Sequence, residues 1–157
     1  MHFILDQNFP LYTTGIAWPI PIRVTALLAH DAELTAGYGD WQLIRRLGST
    51  PGVDGFITCD ADLLNLSTEM VALNDTKLTL VVADGVGHNP VRATGLVMVH
   101  LHEVSRRFDG SPQIYVLRPA QLATQRPGSY INKIAVRQKI APNEMISRER
   151  RAMADRL

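Results

Sequence analysis

The chain has 157 residues, of which 46% are apolar and 20% charged, values typical of one globular domain. No apolar run approaches the ~20 residues that a membrane-spanning helix requires, and a carboxylate as early as Asp6 argues against a signal peptide. The single cysteine, Cys59, excludes an internal disulfide and favours a reducing compartment, so we expect a soluble cytoplasmic protein with no membrane partner.

Charge is unevenly distributed along the chain. Residues 1–118 carry 8 Lys or Arg against 12 Asp or Glu, a net charge of −4. Residues 119–157 carry 8 against 3, a net charge of +5. A basic segment after an acidic body indicates contact with a polyanion, but it also fits a solvated segment that only keeps the protein soluble.

Five short apolar runs have the length and β-branched content of buried parallel strands. In chain order they are His2–Leu5, Ile22–Thr25, Gly55–Thr58, Leu78–Val82 and Gln113–Leu117. Apolar residues at helical spacing separate them in Asp40–Leu47, in Leu63–Leu73 and in a helix from Pro90, with Asn89 as its N-cap, to Asp109-Gly110. This alternation predicts an α/β fold, a three-layer α/β/α domain with a mainly parallel central sheet.

Beyond Pro119 the pattern is weaker. Ile131–Ile140 fits a helix or a strand, and Asn143–Leu157 predicts a charged helix. We therefore expect a domain over residues 1–118, followed by a basic C-terminal extension over residues 119–157 that is partly helical.

Four aspartates fall where this sheet would bring them to one edge. Asp6 directly follows the first strand, Asp60 and Asp62 follow the third, and Asp40 opens the helix before it. Ligands of open α/β sheets bind beyond the carboxyl ends of the strands. Like charges gathered there require a cation, and oxygen ligands suit Mg²⁺ or Mn²⁺. Each aspartate alone is equally an ordinary cap or turn former, so the prediction depends on the four together.

Other polar side chains near this edge give weaker signals. Asp84 follows the fourth strand, but the glycines after it favour a loop or turn, and His88 close by is a candidate phosphate contact. His100 and His102 diverge on a helix, so they would not share a metal ion.

Three motifs carry a family resemblance. Phe3–Pro10 resembles the "LLDENLP" start of PIN-like toxins related to the VapC nucleases, and Thr58–Leu63 resembles their "T-x-D-x-D-F" motif. Asp40–Ile44 is similar to the acidic opening of their middle helix, and the order and spacing of elements match over roughly residues 1–118. The resemblance implies a PIN-like domain and a divalent-metal-dependent endoribonuclease, commonly the toxin of a toxin–antitoxin pair, with an antitoxin protein and a homodimer as possible partners.

The resemblance also implies roles for individual residues. Asp6, Asp40 and Asp60 would bind Mg²⁺ or Mn²⁺ and activate water, with Asp62 as a fourth metal ligand. Asn8 would orient a water or the phosphate. Independently of the resemblance, the position of Thr58 at a strand end favours a hydroxyl that holds the turn over one that bonds to a metal-bound water.

The basic residues after 119 are candidates for contact with an RNA backbone, or for the surface that an acidic antitoxin binds. We select Arg126, Lys133, Arg137 and Lys139 as the RNA-binding candidates. Gln7 stands where the family often has Glu, so a degenerate PIN-like module that binds RNA or protein without catalysis is the alternative function. A phosphatase of the haloacid dehalogenase kind, or a receiver-like domain, also gathers aspartates, but the phosphatases carry their D-x-D pair after the first strand.

Overall fold

The computed structural model describes residues 1–31, 38–86 and 89–156. Its elements, in chain order, are β1 (His2–Leu5), β2 (Arg23–Ala26), α1 (Leu27–His30), α2 (Asp40–Ser49), β3 (Gly55–Thr58), α3 (Ser67–Asn74), β4 (Thr79–Ala83), α4 (Pro90–Arg107), β5 (Ile114–Arg118), β6 (Gln121–Gln125), α5 (Pro127–Gln138) and α6 (Pro142–Ala154). Leu11–Gly15 and Asp62–Asn65 form short 3₁₀ helices. Within these three ranges, none of the helices combines the length and the apolarity that crossing a membrane demands.

The six strands form one sheet in the order β2-β1-β3-β4-β5-β6. The first five run parallel, and β6 pairs antiparallel with β5. The predicted α/β class with a mainly parallel sheet is therefore confirmed. The ends of each of the five predicted strands differ from those of an observed strand by at most one residue. Strands that are buried on both faces have continuous apolar sequences, which makes them easy to predict.

Successive strand residues enter two separate hydrophobic clusters, because side chains alternate across a sheet. Ile4 and Phe56 pack with residues of α2, α3, α5 and α6 in one cluster. Phe3 and Ile57 pack with residues of α4 in the other. Helix α4 begins as predicted, because the side-chain oxygen Oδ1 of Asn89 accepts the backbone N–H of Arg92 at 3.0 Å. The helix ends at Arg107, before the predicted Asp109-Gly110.

The predicted single helix over Leu63–Leu73 is wrong. Leu66 is extended, with φ −94° and ψ 121°, and it separates the 3₁₀ helix Asp62–Asn65 from α3. The proposed stripe of leucines is divided accordingly, since Leu63 is buried whereas Leu66 is 43% exposed.

Of the residues described after 118, those of the predicted extension form β6, α5 and α6. Ile131–Ile140, for which the sequence left helix and strand open, is mostly helical, and the charged helix predicted from Asn143 is α6. Ile131, Met145 and Met153 are buried in the same cluster as α2 and α3. The segment that we expected to extend from the domain is thus packed against it.

A buried carboxylate attaches α6 to α3. Glu149 accepts hydrogen bonds from the hydroxyls of Ser67 at 2.9 Å and Thr68 at 2.8 Å, and it pairs with Arg148 at 2.8 Å. Burial by itself raises the pKa of Glu149, but these donors outweigh it and lower the pKa. The contact therefore stays charged and bonded at neutral pH.

Candidate active site

Three neighbouring parallel strands deliver acidic residues to one edge of the sheet. Strands β1, β3 and β4 end at Leu5, Thr58 and Ala83, and Asp6, Asp60 and Asp84 follow within two residues. The backbone N–H groups of Asp6 and Asp84 still donate to sheet carbonyls, those of Ile57 and Leu117, both at 2.9 Å. The sheet therefore fixes the backbone from which these carboxylates project.

Thr58 links two of the predicted metal ligands. Its hydroxyl is fully buried, donates to Asp6 Oδ2 at 2.8 Å and accepts the backbone N–H of Asp60 at 3.0 Å. Asn8 donates from Nδ2 to the same Asp6 oxygen at 3.1 Å. Thr58 thus holds the turn at the strand end, and Asn8 orients the Asp6 carboxylate.

The turn after Thr58 positions the other two aspartates that follow β3, Asp60 and Asp62. Asp60 Oδ1 accepts the N–H of Asp62 at 2.9 Å, which closes a local turn before the 3₁₀ helix. Both side chains are exposed and line a cavity of about 640 Å³. The cavity is completed by Asn8, Cys59, Ala61, Ala83, Asp84, Gly85 and Pro90.

The aspartate of α2 lies in the electric field of these acids. Asp40 is the first helical residue of α2, and the side chain of Gln42 accepts the Gly39 N–H at 2.8 Å to hold that end of the helix. Burial raises the pKa of Asp40, and the negative charges of Asp60 and Asp6 raise it further. The charges of Asp60 and Asp6 thus act on Asp40, while the hydrogen bonds of Thr58 join Asp6 to Asp60.

Burial has the same effect on two neighbouring groups. It raises the pKa of Asp6, although the hydrogen bonds from Thr58 and Asn8 offset part of the rise. It also raises the pKa of the Cys59 thiol, with Asp6 and Asp60 adding to it. The raised pKa favours the protonated thiol of Cys59.

Sequence reasoning missed Glu69. This half-buried residue lies in the first turn of α3, and its pKa is raised by burial and then by the negative charges of Asp40 and Glu149. Glu69 lies inside the segment Leu63–Leu73, where only the apolar spacing was used for the prediction. An acidic residue in the first turn of the helix after Asp62 was the available signal.

Asp84 was interpreted as a loop former, but it lines the cavity and forms an ion pair with Arg118 at 2.7 Å. His88, the candidate phosphate contact, lies outside the described residues.

No group of three or more His, Cys, Asp or Glu side chains is arranged to hold a metal ion as it stands, within the part of the chain that is described. The donor chemistry nevertheless fits a hard cation, because Asp6, Asp40 and Asp60 offer only oxygen ligands. Burial raises the pKa of Asp40 most, and the negative charges of Asp60 and Asp6 add to the rise. A divalent positive charge would relieve that repulsion.

Two of the RNA-binding candidates lie at the C-terminal end of α5. Arg137 donates to Asn65 Oδ1 at 3.0 Å, within the 3₁₀ helix that follows Asp60. Lys139 is exposed and ends α5 in the left-handed conformation, with φ 57°. Arg137 is therefore joined to the acidic edge of the sheet.

The other two candidates lie elsewhere. Arg126 pairs with Asp109 at 2.9 Å, at the opposite edge of the sheet, where β5 begins and β6 ends. Lys133 donates to Gln125 Oε1 at 3.0 Å and lies 5.0 Å from the centre of the Tyr130 ring. The structure thus does not gather the four cations on one surface.

Comparison of the chain with protein-family models, with curated proteins and with solved structures gave no match in any of the three. What the site can do is therefore judged from its own side chains. The buried Thr58 hydroxyl joins the Asp6 carboxylate to the backbone N–H of Asp60, and the Asp60 side chain lines a cavity open to solvent. Carboxylates in such a position can hold a hard cation or accept a proton from water.

Proposed function

We propose that the protein is a divalent-metal-dependent endoribonuclease with a PIN-like three-layer fold, hydrolysing RNA phosphodiester bonds. Asp6, Asp40 and Asp60 would hold Mg²⁺ or Mn²⁺, with Asp62 as a fourth ligand. The observation that supports this most directly is the link from Asp6 through Thr58 to Asp60, with Asp40 in the field of both acids.

The bound cation would polarise a phosphoryl oxygen and lower the pKa of a water molecule. The chain's own residues perform the remaining tasks. Thr58 and Asn8 hold the Asp6 carboxylate in one orientation by donating to its Oδ2. Asp40, whose pKa is raised by burial and then by the charges of Asp60 and Asp6, would accept a proton from the attacking water.

The biological setting extends the same proposal. The resemblance of three motifs to PIN-like toxins supports a cytoplasmic toxin that an antitoxin inhibits, and a homodimer as its assembly. The net charge of +5 over residues 119–157 is compatible with RNA or an acidic antitoxin as the partner.

Cleavage of a single-stranded RNA in Mn²⁺ tests the proposal. The wild type should cleave, EDTA should stop the reaction, and Asp60→Asn should lower the rate by at least about 100-fold. Asp155→Asn is the matched control, since Asp155 is an exposed aspartate at the end of α6. If Asp60→Asn and Asp6→Asn both cleave like the wild type, the proposal is wrong.

Thermal unfolding separates loss of the metal from loss of the fold. Mn²⁺ should raise the melting temperature of the wild type and of Asp155→Asn, because a metal ion that binds the native state stabilises it. It should not raise that of Asp60→Asn, which lacks one of the proposed metal ligands. A folded wild type that binds RNA without cutting it in any divalent metal would instead support the alternative, a non-catalytic PIN-like binding module.

A further inference from the structure

The cavity beside the proposed metal site is acidic. Asp60, Asp62 and Asp84 line it, and of the described residues no lysine or arginine does. An RNA strand carries a negative charge on every phosphate, so these carboxylates repel it. A single metal ion cannot neutralise three lining acids together with Asp6 and Asp40, so a phosphate beside the cavity needs a further positive partner.

Arg118 is placed to be that partner. Its Nη2 lies 2.7 Å and its Nε 2.8 Å from Asp84 Oδ2. Among the ion pairs of the described residues, this is the one that includes a side chain lining the cavity. The Arg118 side chain is 53% exposed against 25% for Asp84, so the arginine is the more accessible member of the pair. A guanidinium has five donors, and the forked arrangement suits phosphate oxygens.

The backbone of Arg118 is held on two sides. It is the last residue of β5 and pairs with Gln121 of β6. Its carbonyl accepts a hydrogen bond from His100 Nε2 at 2.9 Å. With the backbone fixed and Asp84 holding one side of the guanidinium, little side-chain freedom is left to lose when a phosphate binds.

We infer that Arg118 binds a phosphate of a single-stranded RNA at the edge of the cavity, and that Asp84 orients Arg118 and does not bind the metal. The inference rests on the proposed function for its ligand. Asp84 already has a cationic partner at hydrogen-bond distance, whereas none of the ion pairs among the described residues involves Asp60 or Asp62. Arg118 thus supplies the positive charge that the cavity lining lacks.

The chain contains a matched control pair. Arg150 binds Asp75 at 2.6 and 2.8 Å, and the two side chains are 55% and 27% exposed, close to the values for Arg118 and Asp84. Asp75 follows α3 and precedes β4, so this second pair lies at the opposite edge of the sheet. Removing either arginine should therefore have a similar effect on folding, but only Arg118 lies beside the cavity.

Binding of a short fluorescent single-stranded oligoribonucleotide, followed by anisotropy over a range of salt concentrations, tests the inference. The measurements use the Asp60→Asn chain in EDTA, so that the strand stays intact and no metal contributes to binding. Adding Arg118→Ala should weaken binding about tenfold. The slope of log K against log salt should fall by about 0.7, the value for one phosphate contact. Arg118→Lys should restore the slope but not the full affinity, since lysine keeps the charge and loses the fork.

Adding Arg150→Ala should leave both affinity and salt slope unchanged. Equal effects of Arg118→Ala and Arg150→Ala on affinity and salt slope would overturn the inference, even if the wild type cleaves RNA. The absence of RNA binding would overturn it as well. In cleavage assays of the otherwise wild-type chain, Arg118→Ala should raise KM with little change in kcat. An Asp60→Asn chain that still cuts RNA would refute the proposed function separately.

Discussion

Replacing Thr58 with valine preserves the shape of a fully buried side chain and removes its hydroxyl. The hydroxyl makes two hydrogen bonds, to Asp6 Oδ2 at 2.8 Å and from the Asp60 N–H at 3.0 Å. A hydrogen bond to a charged group contributes about 1.5–3 kcal/mol and a neutral one about 1 kcal/mol. We therefore expect Thr58→Val to lower the free energy of unfolding by roughly 3 kcal/mol, equivalent to a fall in Tm of about 6–12 °C for a domain of this size.

Thr79→Val is the control for this substitution. Thr79 is also a fully buried strand residue, but its hydroxyl has no hydrogen-bond partner among the described residues. Removing an unpaired buried hydroxyl eliminates a desolvation penalty of about 1–3 kcal/mol. Thr79→Val should therefore leave the protein equally stable or stabilise it.

Urea unfolding in EDTA at neutral pH measures both variants without any contribution from bound metal. A difference of less than about 0.5 kcal/mol between Thr58→Val and Thr79→Val would contradict the reasoning, because such a value is typical of substitutions that break no specific interaction. Thr58→Val should also slow RNA cleavage, since Asp6 loses a donor that orients it.

Two further predictions concern pH and packing. Burial raises the pKa of Asp6 in the folded protein above its value in the unfolded chain. The neutral carboxyl therefore stabilises the folded state below the unfolded pKa, and this contribution is lost as pH rises through the folded pKa. In EDTA, Asp6→Asn should therefore gain stability relative to the wild type as pH rises from about 3 to 7, and a difference constant with pH in urea unfolding would contradict this. Gly55→Ala should destabilise by roughly 1–3 kcal/mol, because a Cβ there would lie 2.6 Å from the Phe3 ring. Gly95→Ala in open space on α4 should stabilise by about 0.5–1 kcal/mol, so equal melting temperatures for the two variants would refute the packing argument.

The sequence predicted the parallel core well because burial on both faces leaves a local signature. Gly55–Thr58 and His2–Leu5 are read as strands from their apolar residues alone, and both match the structure. The start of α2 at Asp40 was also predicted, since the helical spacing of the apolar residues after it is a local pattern. These elements can be predicted from local sequence, without information on which segments contact each other in the fold.

The elements that were missed depend on contacts distant in sequence. Strand β6 has alternating polar residues, and it is a strand because β5 offers it a free edge. The break at Leu66 accompanies the bonds that Ser67 and Thr68 make with Glu149, 81 or more residues away. The ion pair of Asp84 with Arg118 likewise joins residues 34 apart.

The cluster that contains Ile4 of β1 also contains Met153 of α6, so residues near the two ends of the chain meet in one place. During synthesis the first strand leaves the ribosome long before the last helix, and this sheet face has no complete cover until α6 emerges. A message cut before the codon of Pro142 would yield a product with an uncovered apolar face, a target for proteases and chaperones.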